Sequence, residues 1–213
     1  MIIMKLAHWA LPAAVISGLV AAGCATAPRE MQPVTAADLT IIKASFKERG
    51  QAKLDRLDQD QAQKLCSHPA SEKLPRPVAA GIEKANMAMI KYPADGKLMG
   101  DWKAGERIAQ TGVGKQFSDN PKNPAGGNCY ACHHLTKSEI SFGTIGPSLY
   151  NFGKLRGGAT PEMQRYTYGR IYNPQAFSAC SNMPRFGHND ILTEQQIKDV
   201  TALLLDPNSP VNQ

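Results

Sequence analysis

The chain has 213 residues, 42% of them hydrophobic and 20% charged, which excludes a disordered or fibrous protein. A mean hydropathy of −0.33 excludes a multi-span membrane protein. The net charge of +6 raises the question of nucleic acid, but no long Lys/Arg cluster and no pattern of stacking aromatics accompanies it, so no nucleic-acid partner is expected. The 15 Pro and 18 Gly beside 7% aromatics predict many loops around a modest core. Such a core needs a cofactor or a cross-link.

Residues 1–23 carry one basic residue, Lys5, and then an uncharged run from Leu6 to Ala22 broken by His8 and Pro12. The run is short for a spanning helix and reads as an export signal. Its end, Ala21-Ala22-Gly23-Cys24, resembles a bacterial lipoprotein box with Cys24 as the lipidated residue. Cleavage at Ala25-Thr26-Ala27 is the competing reading, and a genuine anchor helix is the third. All three place the mature protein outside the cytoplasm: periplasmic, and membrane-anchored where Cys24 carries lipid.

Residues 24–77 read as a helical extension and linker. Leu39, Ile42, Phe46, Leu54, Leu57 and Leu65 recur at helical spacing through residues 35–66, with Gly50 and Gln61 as weak points. Thr35 and Asp38 fit a capping box. This stripe is expected to dock on the rest of the chain or on a partner. Pro69, Pro75 and Pro77 mark residues 67–77 as the linker.

Residues 78–213 form the main domain. A short helix is expected over 78–90. Asp101 is placed to cap a helix through Trp102, Glu106, Ile108 and Ala109, which ends near Gly112 and Gly114. A polar loop, 115–128, leads into Cys129-Tyr130-Ala131-Cys132-His133. That string is C-x-x-C-H, the attachment motif of a c-type haem. Two thiols add to the two vinyl groups of one porphyrin edge. Two intervening residues let one helical turn span that edge, and His133 falls under the iron as proximal ligand. One motif predicts one covalently attached haem c. A zinc site wants a second pair of ligands, and a thioredoxin-like motif wants a βαβ context that the chain does not show.

Residues 143–158 are rich in glycine and turns. Thr160-Pro161-Glu162 starts a helix, with Pro at its first position, that ends near Asn173-Pro174. Thr193 and Gln196 make a second capping box, and the last helix runs through Ile197, Val200, Leu203 and Leu204 to Pro207. No strand pattern is strong. Met183, in the loop Ser181 to Gly187, lies far enough past His133 to reach the opposite face of the haem. A methionine there gives a relatively high potential and a closed iron. Met87, Met89, Met99 and Met163 are expected in core packing. Cys180 is the main rival ligand. His134, tied to the proximal face, and His188, expected at the surface, are weaker ones. Cys66 and Cys180 remain, and in an oxidising compartment a disulfide between them is the simplest use. A free or inter-subunit Cys66 thiol is the alternative.

The order helix, C-x-x-C-H, Gly-Pro loop, Met loop, terminal helix resembles a class I cytochrome c. The resemblance implies an all-α fold with the N-terminal helical extension added. It implies a close crossing of the first and last helices, suiting Gly105 against Leu203. Gly146-Pro147-Ser148-Leu149 is similar to that family's G-P-x-L segment, which makes the Pro147 carbonyl the acceptor for His133 Nδ1–H. Four stretches are similar to the SoxX family of monohaem subunits: Lys91 to Lys97, Gly127 to His133, Gly143 to Tyr150, and Asn182 to Gly187. That likeness implies an electron-transfer subunit in thiosulfate oxidation, with no sulfur chemistry of its own. Its partners are then a SoxA-like haem subunit, a SoxYZ-like sulfur carrier reached through that subunit, and a downstream cytochrome acceptor. Two other functions compete. A freely diffusing cytochrome shuttle suits the seven basic and three acidic residues of 121–190. A haem enzyme or gas sensor requires an open iron.

Overall fold

The computed structural model describes residues 34–67 and 74–213. The expected export segment, Cys24 and the centre of the linker lie outside them. Every regular element among the described residues is helical, and the bridge between Arg49 and Ala52 stays isolated. The fold is all-α.

Three helices make the scaffold, and each starts where a side chain can accept an otherwise unpaired N–H. We number the α-helices in chain order. Helix α4, Trp102–Gln110, begins at Asp101, whose carboxylate accepts from Lys103 N at 3.0 Å. Helix α6, Pro161–Tyr172, begins at Thr160, which accepts from Met163 N, with Pro161 at its first position. Helix α7, Glu194–Leu205, begins with the Thr193–Gln196 capping box. From Ile197 to Leu205 every residue of α7 is buried. A helix covered on all sides is the centre of its domain.

Helix α4 crosses α7 at very short range. A Cβ on Gly105 would lie 2.2 Å from the Asp199 carbonyl oxygen and 3.0 Å from Leu203 Cβ. The crossing is also tied by hydrogen bonds. Gly100 N donates to the Lys198 carbonyl at 2.9 Å, and Asp101 N to the Asp199 carboxylate at 2.9 Å. Helix α6 adds Tyr168, fully buried, stacked on Tyr172 and tilted against Tyr92. Two elements without a sequence forecast meet near the C-terminus: the single turn α5, Phe152–Leu155, and the 3-10 turn Pro210–Asn212. One side chain joins them. Asn212 accepts from Gly153 N and Lys154 N and donates to the carbonyls of Leu204 and Asp206.

The extension is helical in pieces, and both weak points, Gly50 and Gln61, fall at its breaks. It holds α1, Ala36–Ser45, a 3-10 turn at Leu54–Leu57, and α2, Gln61–Cys66. Residues between them seek partners elsewhere. Gln51 Nε2 donates to the carbonyls of Gly114, Gln116 and Asp119, Arg56 to that of Lys115, and Arg49 sits 4.3 Å over the Phe117 ring. These bonds to one polar loop outweigh helix propagation, and Asp60 then caps a new start. The apolar stripe does not dock as one face: Ile42 and Phe46 stay 36% and 56% exposed. Helix α3, Arg76–Ala88, begins two residues before its expected start, with Pro77 in its first turn. It packs on the 3-10 turn Pro174–Ala176, where Asn173 donates to Asn86 at 2.9 Å.

The crossing gives a direct test. Gly105→Ala gains about 1 kcal/mol of helix propensity but loses about 3 kcal/mol to overpacking against α7. The variant is expected to be less stable by about 2 kcal/mol in urea unfolding, whereas a neutral result would show that the two helices can separate freely.

Candidate functional site

The Cys129 to His133 segment is held by its own backbone. Cys129–Ala131 is a 3-10 turn, with Cys132 N and His133 N both donating to the Cys129 carbonyl, at 3.1 and 2.9 Å. A second segment runs alongside it. Gly143 N donates to the Tyr130 carbonyl at 2.8 Å, Gly146 N to that of Cys132 at 2.8 Å, and Leu149 N to that of His134 at 2.7 Å. Those three bonds place the Pro147 carbonyl 2.7 Å from His133 Nδ1. A proline carbonyl can only accept, so Nδ1 carries the proton and Nε2 keeps its lone pair. The approach is close: a Cβ on Gly146 would lie 2.2 Å from His133 Cε1.

The donor set fits a covalently attached haem. Cys129 and Cys132 are not joined to each other. Burial pushes the Cys129 thiol up to about 12, the opposite of the lowered thiol that dithiol redox motifs need. No trio of His, Cys, Asp or Glu among the described residues lies close enough to hold a metal ion. The zinc and thioredoxin-like readings therefore lose their structural support. Thioether formation needs two free thiols one turn apart and an imidazole with an available Nε2, and these residues provide both.

Two of the three rival axial ligands are otherwise engaged. Cys180 is bonded to Cys66 in a disulfide. His134 stacks on Phe142 at 4.2 Å and on Tyr150 at 5.7 Å. His188 is half-buried rather than at the surface. Its backbone N–H donates to the Tyr172 carbonyl, and burial, then repulsion from Arg185, lowers its pKa. Of the methionines expected in the core, Met99 and Met163 pack against it. Met87 and Met89 do not, being 41% and 45% exposed. Met87 lies one position past Asn86 and so turns away from the inward face that Ile82 and Asn86 define, and Met89 caps the helix just past its end. Met183 packs against the core but remains partly exposed.

Sequence reasoning missed the residues around the Met183 loop. Arg185 is buried and pairs with Asp60 at 2.6 Å. Ala179 N donates to the Glu83 carboxylate at 3.3 Å. Each pair spans roughly a hundred residues, so no local pattern announces it. Burial alone would raise the Asp60 carboxyl, but the Gln63 N–H and the Arg185 guanidinium outweigh it and hold that carboxyl below the usual range.

Two predictions follow from this geometry. In Gly146→Ala the added methyl must push His133 off Pro147. Haem per chain, read by pyridine haemochrome against protein, is expected to fall about tenfold or more; wild-type haem content would refute the contact. For Asp60, a depressed carboxyl stabilises fully above its unfolded pKa of about 4 and loses that contribution as pH falls through the folded value. Wild type should therefore lose stability below pH ~4 more steeply than Asp60→Asn in pH-stepped urea unfolding. Parallel curves would show that the pair contributes nothing.

A protein-family model described as cytochrome c matches residues 102–206. A protein of Aquifex aeolicus (strain VF5), named an uncharacterized lipoprotein, is 42% identical over 158 residues, which is 73% of each chain. The match begins at α4 and ends just past α7, enclosing the C-x-x-C-H turn, the Gly146-Pro147 segment and the Met183 loop. A family with this domain binds c-type haem covalently and transfers electrons through it. The fold, the donor set and the match converge: the chain belongs to the cytochrome c family.

Proposed function

We propose that this chain is an exported electron carrier with one haem c, bound through Cys129 and Cys132, with His133 and Met183 as axial ligands. We further propose that it serves as the cytochrome subunit of a SoxAX-like thiosulfate-oxidising complex. The 2.7 Å hydrogen bond from His133 Nδ1 to the Pro147 carbonyl carries the haem reading, because it fixes the tautomer that can ligate iron. A bound haem supplies a one-electron iron couple. The protein orients it, shields it and sets its ligands.

The four stretches similar to SoxX support the complex. The thiol inventory supports a subunit without sulfur chemistry of its own. Among the described residues, two cysteines form a disulfide and the other two stand at the haem motif. Among the described residues no thiol is left to take up a sulfur substrate. In this reading a SoxA-like haem subunit performs the sulfur–sulfur bond formation on a SoxYZ-like carrier, and this chain passes the electrons to a downstream cytochrome. The name of the Aquifex relative supports lipid on Cys24, and no described helix is long and apolar enough to cross a membrane. Together they favour a periplasmic protein tethered by its lipid.

The basic segment 121–190 favours a second reading, a cytochrome shuttle with several redox partners. Native purification from a membrane fraction separates the two. The expected result is a stable complex with a second haem protein and one haem c in this chain. A lone chain that reduces several cytochromes equally well would favour the shuttle and remove the SoxAX assignment.

A further inference from the structure

The methionine loop has little structure of its own. Met183 N donates to Ser181 Oγ at 3.3 Å, and the nearest backbone bonds are Ser181 N to the Ser178 carbonyl and Phe186 N to that of Pro184. Its fixed points come from outside. Three residues before Met183, Cys180 is bonded to Cys66, the last residue of α2. Two residues after it, Arg185 pairs with Asp60, the residue that caps α2. The Arg185 side chain is only 8% exposed, so the pair is costly to break. One six-residue helix from the extension thus grips the loop on both sides of the methionine.

We propose that α2 is a positioning brace for Met183, anchored by Asp60–Arg185 and by Cys66–Cys180, and that opening the disulfide loosens methionine ligation. The proposal rests on the reading of Met183 as an axial ligand. Both cysteines are partly exposed, so a dithiol can reach them. In that reaction the reductant's two sulfurs join in a disulfide, and Cys66 and Cys180 each take up one electron and one proton. The chain then carries a thiol-sensitive control on an iron otherwise closed to ligands. Asp60 and Arg185 touch no haem atom in this account. They act through the loop.

Carbon monoxide binding to the ferrous holoprotein tests it, because CO must displace the methionine. Wild type with the disulfide intact should bind CO slowly. Dithiol treatment, Cys66→Ser and Asp60→Ala should each speed binding about tenfold, with helix content unchanged by circular dichroism. Asp60→Glu should restore most of the slow rate, which a loss of general stability would not predict. Met183→Ala should bind CO fast, and neither dithiol nor Asp60→Ala should speed it further. Equal acceleration in the Met183→Ala background would place the effect elsewhere and overturn the brace. An unchanged rate in dithiol-treated wild type would overturn it as well. If untreated wild type binds CO as fast as Met183→Ala, Met183 is not a ligand, and that reading falls with the brace while the attached haem stands.

Discussion

One hydrogen bond gives the site its chemistry. A histidine beside two cysteines can ligate through either nitrogen, or through neither. The Pro147 carbonyl, 2.7 Å from His133 Nδ1, leaves only Nε2 free and makes that nitrogen more basic. The bond holds because three backbone bonds align residues 143–149 with residues 130–134. It also explains why position 146 is glycine, since any Cβ there would occupy the space of the imidazole. Turn, tautomer and close approach are one constraint seen from three residues.

The two sides of the site are held by different means. The histidine side is held locally, by main-chain bonds between segments about a dozen residues apart. The methionine side is held remotely, by a disulfide and an ion pair that reach back more than a hundred residues to α2. Beneath both lies the α4–α7 crossing, where backbone meets backbone and side chains are nearly excluded. Such a crossing tolerates little movement. Local holding resists single changes in tertiary contacts. Remote holding responds to them.

The legible parts of the sequence were those with local causes. The capping residues Asp101, Thr160 and Thr193 announced α4, α6 and α7 because a cap acts within three residues. The C-x-x-C-H spacing announced its turn for the same reason. The resemblance to class I cytochromes placed Pro147 under His133 and Gly105 against α7, and the structure has both contacts. What the sequence hid has distant causes. The apolar spacing of residues 39–65 imitates one helix, but Gln51, Arg49 and Arg56 are drawn to the 114–119 loop and break it. Arg185 reads as a surface charge until Asp60 is beside it. Met87 and Met89 read as core because their neighbours are apolar, although Met87 lies off the face set by Ile82 and Asn86 and Met89 lies past the end of α3.

Cysteine use joins the fold to the function. A free thiol in an oxidising compartment is a reactive liability, and a sulfur-handling enzyme needs one with a lowered pKa. Here the described thiols are assigned otherwise. Cys66 and Cys180 are joined to each other, and burial pushes the Cys129 thiol up rather than down. What the cytochrome c domain supplies is a covalently held haem that passes electrons. The extension adds a grip on the loop around Met183, through Cys66 and Asp60.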